Sequence, residues 1–329
     1  MNKKIIFIFI LYLIFYNYTV EKFTEHKNKY ITLIFSDNKG KPTKNFKSPG
    51  YGGLRHNEQG YLTKLPLVAK YLNRNAVLPP PWISLQFSHN NNKQTNKNHN
   101  WDTYLNLDNI ENLETNPPFS FSNNGDIITD LSIAYYPSNT PLDKMNHDMD
   151  IIVLVNYYDK SSELKPWSFI HFNEINDYSQ ITYSTSNLLK NYAKKIISKL
   201  NFDNFTFIHI RRGDYLNNDV LAPPKGTEPY TSPEFISNFI KSKITNNNII
   251  VATNEKDPKY KQKLIELLDT YNLIFEEEYF KYLPDNIKND NYCIYLISNE
   301  IATNAEINIG THGYVRLGEK YDYTLANFQ

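Results

Sequence analysis

The chain has 329 residues, of which 40% are hydrophobic, and its 35 basic side chains balance 35 acidic ones. This apolar content suffices for one large domain or two ordinary ones, so it excludes a wholly disordered chain. Zero net charge argues against a nucleic-acid binder that neutralises phosphates along a strand. The single cysteine, Cys293, excludes an internal disulfide and a metal site built from several cysteines.

The amino terminus is predicted to be a targeting segment. Lys3 and Lys4 precede an apolar run over residues 5–16, which is shorter than the about 20 residues that a membrane span needs. Its length and basic flank are typical of a signal peptide, but no small-x-small cleavage site follows. Residues 1–27 are therefore interpreted as a signal peptide or an uncleaved signal anchor. Either predicts a secretory lumen, the endoplasmic reticulum or Golgi, where a chain with one cysteine is unusual.

Strands and helices alternate in a first block of sequence. Strands are predicted over residues 31–35, 76–78 and 151–155, and an apolar face at helical spacing predicts a helix over residues 61–72, kinked at Pro66. The continuous apolar run at 151–155 is typical of a buried parallel strand. Residues 88–100 are mostly Asn, Lys and His, so they are interpreted as a surface insertion, with His89 and His99 in solvent.

A second block repeats the alternation more regularly. Its predicted strands are 205–210, 249–252, 273–275 and 307–309, and its predicted helices are 188–200, one that begins at Ser232-Pro233, 258–268 and 292–301. Such alternation predicts an α/β chain with parallel sheets that bind ligands at the carboxyl ends of their strands. The blocks meet near residue 175, which predicts two domains, 28–174 (with the 88–100 insertion) and 175–329, with a cleft between them.

One strand end concentrates the polar residues that suit chemistry. His209, Arg211, Arg212 and Asp214 lie at or just after the strand predicted over 205–210, with Gly213 among them. Arginine offers a planar fork of donors that matches phosphate oxygens, and it can stabilise a diphosphate leaving group as its charge develops. For the bare string, an ion-paired turn joining Arg212 and Asp214 is the plainer alternative.

These residues, in their order, resemble a known family. The string H-x-R-R-G-D resembles the GDP-fucose motif of the fucosyltransferase superfamily. Further matches are similar to protein O-fucosyltransferases, in the order of that family. They are Gly53-Leu54-Arg55-His56-Asn57, Ala69-Lys70-Tyr71-Leu72-Asn73-Arg74, Pro80-Pro81-Trp82, Trp101-Asp102-Thr103-Tyr104-Leu105, Ile250-Val251-Ala252-Thr253-Asn254-Glu255 and Ala305-Glu306-Ile307-Asn308-Ile309-Gly310-Thr311.

The resemblance implies a fold and an activity. It implies the GT-B-like architecture of two facing Rossmann-like domains, and metal-independent, inverting transfer of fucose from GDP-fucose to a protein or glycan hydroxyl. No cofactor is expected beyond this donor substrate. By position, Arg211 would grip the β-phosphate and Asn57 would reach the sugar, as the catalytic pair. The residues expected to bind the donor are His209, Arg212, Asp214, Gly53, Thr253, Asn254 and Thr311.

The chain also departs from the family pattern. The family's Ser-Ser-Phe is replaced by Thr311-His312-Gly313-Tyr314, and Asn254 stands where the family has an aspartate. No residue matches a general base cleanly, since Glu58 is offset from the expected place. The leaving phosphate could therefore help to take the acceptor proton.

Three alternatives compete with this hypothesis. The first is a glycosyltransferase that uses another nucleotide sugar. The second is a non-enzymatic adhesion protein that displays Arg212-Gly213-Asp214 on an exposed loop. The third is a divalent metal site at Asp148-Met149-Asp150, but this D-x-D precedes a predicted strand rather than following one, so a structural turn is favoured there.

Overall fold

The computed structural model describes residues 28–36, 59–84, 96–122, 126–137, 140–157, 183–212, 230–311 and 322–325. The chain divides into two compact units, residues 1–88 with 110–181 and residues 89–109 with 182–329. The predicted targeting segment and the predicted boundary near residue 175 lie outside the described residues, so both stay predictions. Within the described residues, every helix is too short or too polar to cross a membrane.

Strands and helices alternate along the described chain. The strands are β1 (Tyr30–Ser36), β2 (Asn75–Val77), β3 (Leu105–Asn106), β4 (Leu113–Glu114), β5 (Ser120–Phe121), β6 (Ile127–Ile128), β7 (Ile133–Pro137), β8 (Ile151–Tyr157), β9 (Ser184–Thr185), β10 (Thr206–Ile210), β11 (Asn248–Thr253), β12 (Asn272–Phe275), β13 (Ile307–Gly310) and β14 (Tyr323–Thr324). The α-helices are α1 (Leu65–Tyr71), α2 (Pro81–Ser84), α3 (Trp101–Tyr104), α4 (Asn187–Leu200), α5 (Pro233–Lys243), α6 (Pro258–Leu267), α7 (Glu276–Tyr279), α8 (Asp285–Lys288) and α9 (Asn291–Thr303). A π-helix spans Gln59–Lys64, and two 3-10 turns span Leu142–Lys144 and Phe280–Tyr282.

The first unit contains a five-stranded parallel sheet in the order β4-β2-β1-β8-β7. Ile31 of β1 and Ile152 of β8 are fully buried, and so are Thr32 and Val153, which point to the opposite face, as expected for strands that are covered on both faces. The antiparallel pair β5–β6 lies near one face, where Phe119 packs into the core with residues of β1, β2 and β8. The continuous apolar run of β8 thus forms an interior strand of this sheet, between the central strand β1 and the edge strand β7.

The predicted helix over residues 61–72 is present in two geometries. A π-helical segment, Gln59–Lys64, passes directly into α1, which has Pro66 in its first turn. A proline there is tolerated because the first turn of an α-helix leaves its N–H groups without helical partners. Leu65, Val68 and Ala69 form the buried face, and Asn73 adopts the left-handed conformation just beyond the helix (φ 51°).

The second unit contains a second five-stranded parallel sheet, in the order β12-β11-β10-β13-β14. Numbered within this sheet alone, the strands run 3-2-1-4-5, the order of a Rossmann-like fold. On one face, Ile208 and Ile210 of β10 pack with residues of α5 and α6, including Ile240 and Leu264. The prediction of an α/β chain with two domains, each built on a parallel sheet, is confirmed.

Local sequence signals set the helix ends in the second unit. Ser186 caps α4 by accepting the N–H of Leu189, and Ser232 caps α5 by accepting that of Phe235. Pro233 then occupies the first turn of α5, as the Ser-Pro pair predicts. Helix α4 ends at Leu200, and the next residue, Asn201, adopts the left-handed conformation (φ 53°) that closes many helices.

Candidate functional site

The carboxyl edge of the second sheet has a topological switch point beside β10. From β10 the sheet extends to β11 and β12 on one side and to β13 and β14 on the other. In sheets of this order, ligands bind outside the carboxyl ends of the strands where the order reverses. Arg211 directly follows β10, and Thr311 directly follows β13. The two residues therefore flank the switch point.

Thr311 is tied to the backbone of the central strand. Its hydroxyl accepts the N–H of Arg211 at 2.8 Å and donates to the carbonyl oxygen of His209 at 3.0 Å. The Thr311 N–H donates to the same His209 oxygen at 3.1 Å. Thr311 is 1% exposed, so these bonds are shielded from water. The Thr311 hydroxyl has a single proton, and in this arrangement it donates that proton to the carbonyl oxygen of His209.

Asn254 makes the matching contact on the other side of β10. Asn254 is the first residue after β11, which ends at Thr253. Its side-chain oxygen accepts the N–H of Arg212 at 2.7 Å. Thr253 is buried, and its hydroxyl accepts the N–H of Glu255 at 3.1 Å. The structure thus brings Asn254 and Thr311 to the two neighbouring backbone amides that follow β10.

The Arg212 side chain is anchored within the protein. Its Nε donates to Glu255 Oε2 at 2.9 Å, and its Nη1 donates to the Thr231 hydroxyl at 3.0 Å. The guanidinium also lies 4.9 Å from the ring centroid of Tyr260, in cation–π contact. The side chain is only 11% exposed. Of the described residues, Glu255 is thus an acid that pairs with Arg212, and Asp214, which the sequence suggested as a partner, lies outside the described residues.

Tyr260 completes this anchor. Its hydroxyl donates to the Thr231 carbonyl oxygen at 2.7 Å. Burial raises the pKa of Tyr260 well above its usual value, although the positive charge of Arg212 lowers it in part. The phenol therefore stays protonated and keeps donating to Thr231 at any working pH. Sequence reasoning missed Thr231 and Tyr260, because neither lies in the motif and no spacing indicates their contact with Arg212.

His209 and Arg211 lie on the side of β10 that also carries the fully buried Phe207, and this side becomes partly exposed only at the carboxyl end of the strand. Ile208 and Ile210 are fully buried, whereas His209 between them is half-buried, which agrees with the predicted alternation of side chains along β10. Arg211 is half-buried as well. A guanidinium keeps its charge at any working pH, so Arg211 brings a fixed positive charge to the switch point.

The other predicted site residues lie outside the described residues. These are Gly53, Asn57 and Asp214, and the residues that were considered with them, Glu58, Gly213, His312, Gly313 and Tyr314. Their assignments stay predictions. The described part of the site therefore consists of the strand-end residues His209, Arg211, Arg212, Thr253, Asn254 and Thr311.

A second polar cluster lies at the start of α9, in the same unit. The carboxylate of Asp290, which is fully buried, accepts five hydrogen bonds, two on Oδ1 and three on Oδ2. Oδ1 accepts the N–H groups of Tyr292 and Cys293, and so caps the helix. Oδ2 interacts with the Asn96 N–H, His99 Nδ1 and the Tyr104 hydroxyl at 2.8, 3.0 and 2.6 Å.

This cluster corrects one sequence-based expectation. His99 is not in solvent; it is 9% exposed, and its ring lies edge-on to Tyr104 with centroids 5.6 Å apart. The buried Asp290 gives the imidazole a partner that the Asn-rich sequence around His99 does not reveal. The segment that carries Asn96 and His99 is therefore docked on the second unit by this carboxylate.

The same cluster has the residue types of a metal site. The ligand atoms of His99, Asp290 and Cys293 lie within 4.8 Å of one another. However, each carboxylate oxygen of Asp290 already accepts a backbone N–H group. A cation bound to these oxygens would lie close to the partial positive charges of those N–H groups. Burial raises the pKa of the Cys293 thiol far above its usual range, and the nearby Asp290 raises it further. The contacts therefore describe a hydrogen-bonded network rather than a metal centre.

The D-x-D string serves a structural role in the described contacts. Asp150 Oδ2 accepts the Ser132 N–H at 3.0 Å and the Ser132 hydroxyl at 2.9 Å. Arg74, which is 3% exposed, donates to four backbone carbonyls, those of Tyr30, His147, Met149 and Asp150. The arginine of the A-K-x-L-N-R match thus holds the segment before β8 against the start of β1.

Comparisons with known proteins give structural neighbours only. No family model matches the sequence, and no curated protein matches it. A structure of POFUT1 in complex with GDP-fucose is 14% identical, with a TM-score of 0.42 over 86% of this chain and 90% of that chain. POFUT1 in complex with GDP is 12% identical, with a TM-score of 0.43 over 86% and 92%. At such identities and TM-scores, the likeness concerns the fold in outline and identifies neither family nor reaction.

Proposed function

We propose that this chain is an inverting, metal-independent glycosyltransferase that moves fucose from GDP-fucose to a protein Ser/Thr or glycan hydroxyl. The observation that supports the proposal most is the position of Arg211, at the end of the central strand and at the switch point of a parallel sheet. Phosphate groups of nucleotide ligands bind at this point in sheets of this order. The choice of GDP-fucose rests on the sequence motifs, and the solved POFUT1 complex with that donor is compatible with it.

The proposed reaction is a single displacement at the anomeric carbon. The acceptor oxygen attacks C1 of fucose as the bond from C1 to the β-phosphate oxygen breaks, and the electron pair of that bond leaves with GDP. Arg211 would neutralise the negative charge that develops on the β-phosphate, which lowers the barrier because the guanidinium is already in place. The acceptor proton passes to a phosphate oxygen of the leaving group, since we assign no side chain as the general base.

The remaining assignments follow the motifs residue by residue. Asn57 would contact the sugar, and His209, Asp214 and Gly53 would contact the donor. Thr253, Asn254 and Thr311 would lie beside the nucleotide. No cofactor is proposed beyond the donor substrate.

The proposed compartment follows from the amino-terminal sequence. The apolar run behind Lys3 and Lys4 would deliver the chain to the lumen of the endoplasmic reticulum or Golgi, with residues 1–27 serving as a signal peptide or as a membrane anchor. The acceptor would then be a protein or glycan of the secretory pathway.

The adhesion alternative is disfavoured by the contacts of Arg212. An adhesion tripeptide must present its guanidinium to a receptor, but this side chain is 11% exposed and paired with Glu255 at 2.9 Å. Freeing it would break an ion pair, a hydrogen bond to Thr231 and the contact with Tyr260. A glycosyltransferase that uses another nucleotide sugar remains the alternative to be tested.

A panel of nucleotide sugars tests the donor. Thermal shift is measured with GDP-fucose, GDP-mannose, UDP-glucose and UDP-N-acetylglucosamine, each without added metal and with EDTA. We expect stabilisation by GDP-fucose that EDTA does not remove. A larger shift with a UDP-sugar would reject the donor, and no shift with any of them would reject the proposed function.

The Arg211→Ala variant tests the catalytic assignment. We expect turnover of GDP-fucose, followed as GDP release, to fall by roughly 10²–10³-fold, as it does when one preorganised electrostatic donor is removed. Arg211→Lys keeps the charge but loses the planar fork, so we expect it to recover only part of the rate. Wild-type turnover in a folded Arg211→Ala variant would contradict the assignment.

A further inference from the structure

We infer that Thr311 and Asn254 are positioning residues that hold the two backbone amides after β10, and thereby set the direction of the Arg211 side chain. This inference rests on the proposed function for its catalytic consequence. Its structural part rests on two hydrogen bonds, from the Arg211 N–H to Thr311 Oγ1 at 2.8 Å and from the Arg212 N–H to Asn254 Oδ1 at 2.7 Å.

The pairing pattern explains why two side chains are needed. Along a parallel strand, successive residues bond alternately to the strands on either side. His209 bonds to the β13 side, because its carbonyl accepts the Thr311 N–H. The next N–H that faces β13 is that of Arg211, and the next one that faces β11 is that of Arg212.

In a continued ladder these amides would donate to the main-chain carbonyls of Thr311 and Asn254. They donate instead to the side chains of the same two residues. Each neighbouring strand therefore ends with a side-chain acceptor that takes the place of its own carbonyl. Because of this, the sheet pairing extends two residues beyond β10 on side chains alone, up to the amides of Arg211 and Arg212.

The consequence for the site is a fixed backbone at Arg211. Two backbone amides in succession are held from opposite sides, and the Arg212 side chain is anchored by Glu255 and Thr231 as a third restraint. The Cα of Arg211 therefore has little freedom, so its guanidinium starts from one backbone position. A misplacement of about 1 Å can cost about 10²-fold in rate even when the change lies away from the chemistry.

Thr311 thus acts through Arg211 rather than on the donor. A phosphate oxygen only accepts hydrogen bonds, and the single hydroxyl proton of Thr311 is given to His209 at 3.0 Å. The Thr311 hydroxyl therefore differs from the direct contact with the donor that the family resemblance implied. Replacing its hydroxyl should therefore change how fast bound donor reacts more than how tightly the donor binds.

The test compares Thr311→Val, Thr311→Ser and Thr206→Val in the full chain. Valine has the shape of threonine without the hydroxyl, and serine restores the hydroxyl. Thr206 is the matched control, because it is also buried and its hydroxyl is hydrogen-bonded to Asn246, but it lies at the amino end of β10. The measurements are kcat and KM for GDP-fucose and the hydrogen-exchange rate of the Arg211 amide.

We expect Thr311→Val to lower kcat by about 10- to 10²-fold with little change in KM, and to speed exchange of the Arg211 amide by at least about 10-fold. Thr311→Ser should restore kcat and the exchange rate of the Arg211 amide to nearly their wild-type values. Thr206→Val should resemble the wild type in kcat and in the exchange rate of this amide. For the second contact, Asn254→Leu should speed exchange at Arg212, and Asn254→Asp, which keeps an acceptor oxygen, should not.

The outcomes separate this inference from the proposed function. If Arg211→Ala is inactive while Thr311→Val matches the wild type in kcat and in amide exchange, the positioning role is wrong and the proposed function stands. An equal loss of kcat in Thr206→Val would also overturn the positioning role, since it would show a general effect of loosening β10. If the wild type neither binds nor turns over GDP-fucose, the proposed function fails and the catalytic role of Thr311 fails with it.

Discussion

The Asp290 network offers a quantitative test of what holds the second unit together. The perturbation is Asp290→Ala, which removes a fully buried carboxylate and all five of its hydrogen bonds, two on Oδ1 and three on Oδ2. The segment that carries Asn96, His99 and Tyr104 would lose its common partner. The start of α9 would lose its cap in the same substitution.

The expected cost follows from these contacts. Loss of a helix cap costs about 1 kcal/mol. A buried donor left without an acceptor costs about 1–3 kcal/mol, and the Asn96 N–H would lose its acceptor, whereas the Tyr104 hydroxyl would keep only its contact with His99 Nδ1 at 3.3 Å. Removing one member of a buried charged network costs about 3–5 kcal/mol in total. We therefore expect the free energy of unfolding of this unit to fall by about 4 kcal/mol.

Asp257→Ala is the matched control. Asp257 also caps a helix, α6, by accepting the N–H of Lys259 at 2.9 Å, but it is exposed. It lacks the side-chain network of Asp290, so its replacement should cost only about 1 kcal/mol. The difference of about 3 kcal/mol between the two variants isolates the contribution of the buried network.

The single cysteine provides the assay. Cys293 is the third residue of α9 and is fully buried, so its labelling by a thiol reagent requires opening of this unit. A loss of about 3 kcal/mol relative to the control corresponds to labelling that is about 100-fold faster. Urea unfolding measured in parallel should give the same order of variants. If Asp290→Ala labels no faster than Asp257→Ala, the network is not a stabilising element and the reasoning fails.

Two further predictions concern buried polar groups. Burial raises the pKa of the Cys293 thiol, so little thiolate exists at neutral pH. We therefore expect the folded protein to react with a thiol reagent far more slowly than the urea-unfolded chain. Equal reaction rates would contradict the burial of Cys293. Arg74→Met should lower the stability of the first unit by about 3 kcal/mol in urea unfolding, because it removes the hydrogen bonds from Arg74 to four backbone carbonyls, of which those of His147 and Asp150 keep another donor. Lys70→Met is its control, since Lys70 is exposed and pairs with Glu111 at the surface, and a similar loss in both variants would reject the assigned role of Arg74.

The sequence by itself determined where strands and helices form and which strand end carries polar residues. The apolar runs at β8 and β10 predicted two interior strands, because burial on both faces requires such side chains, and β10 is the central strand of its sheet. Ser232-Pro233 predicted the start of α5 from capping chemistry alone. The polar residues after β10 marked one strand end as a candidate site, since parallel sheets bind ligands there.

The tertiary structure alone decided which side chains meet. Arg211 and Thr311 are 100 positions apart, Arg212 and Glu255 are 43 apart, and His99 and Asp290 are 191 apart. Parallel strands are joined by long crossovers, so the distance along the chain carries no information on which strand ends become neighbours. The order of the strands in the second sheet places Thr311 and Asn254 on either side of Arg211 and Arg212. Contact with Asp290, which is distant in the sequence, buries His99.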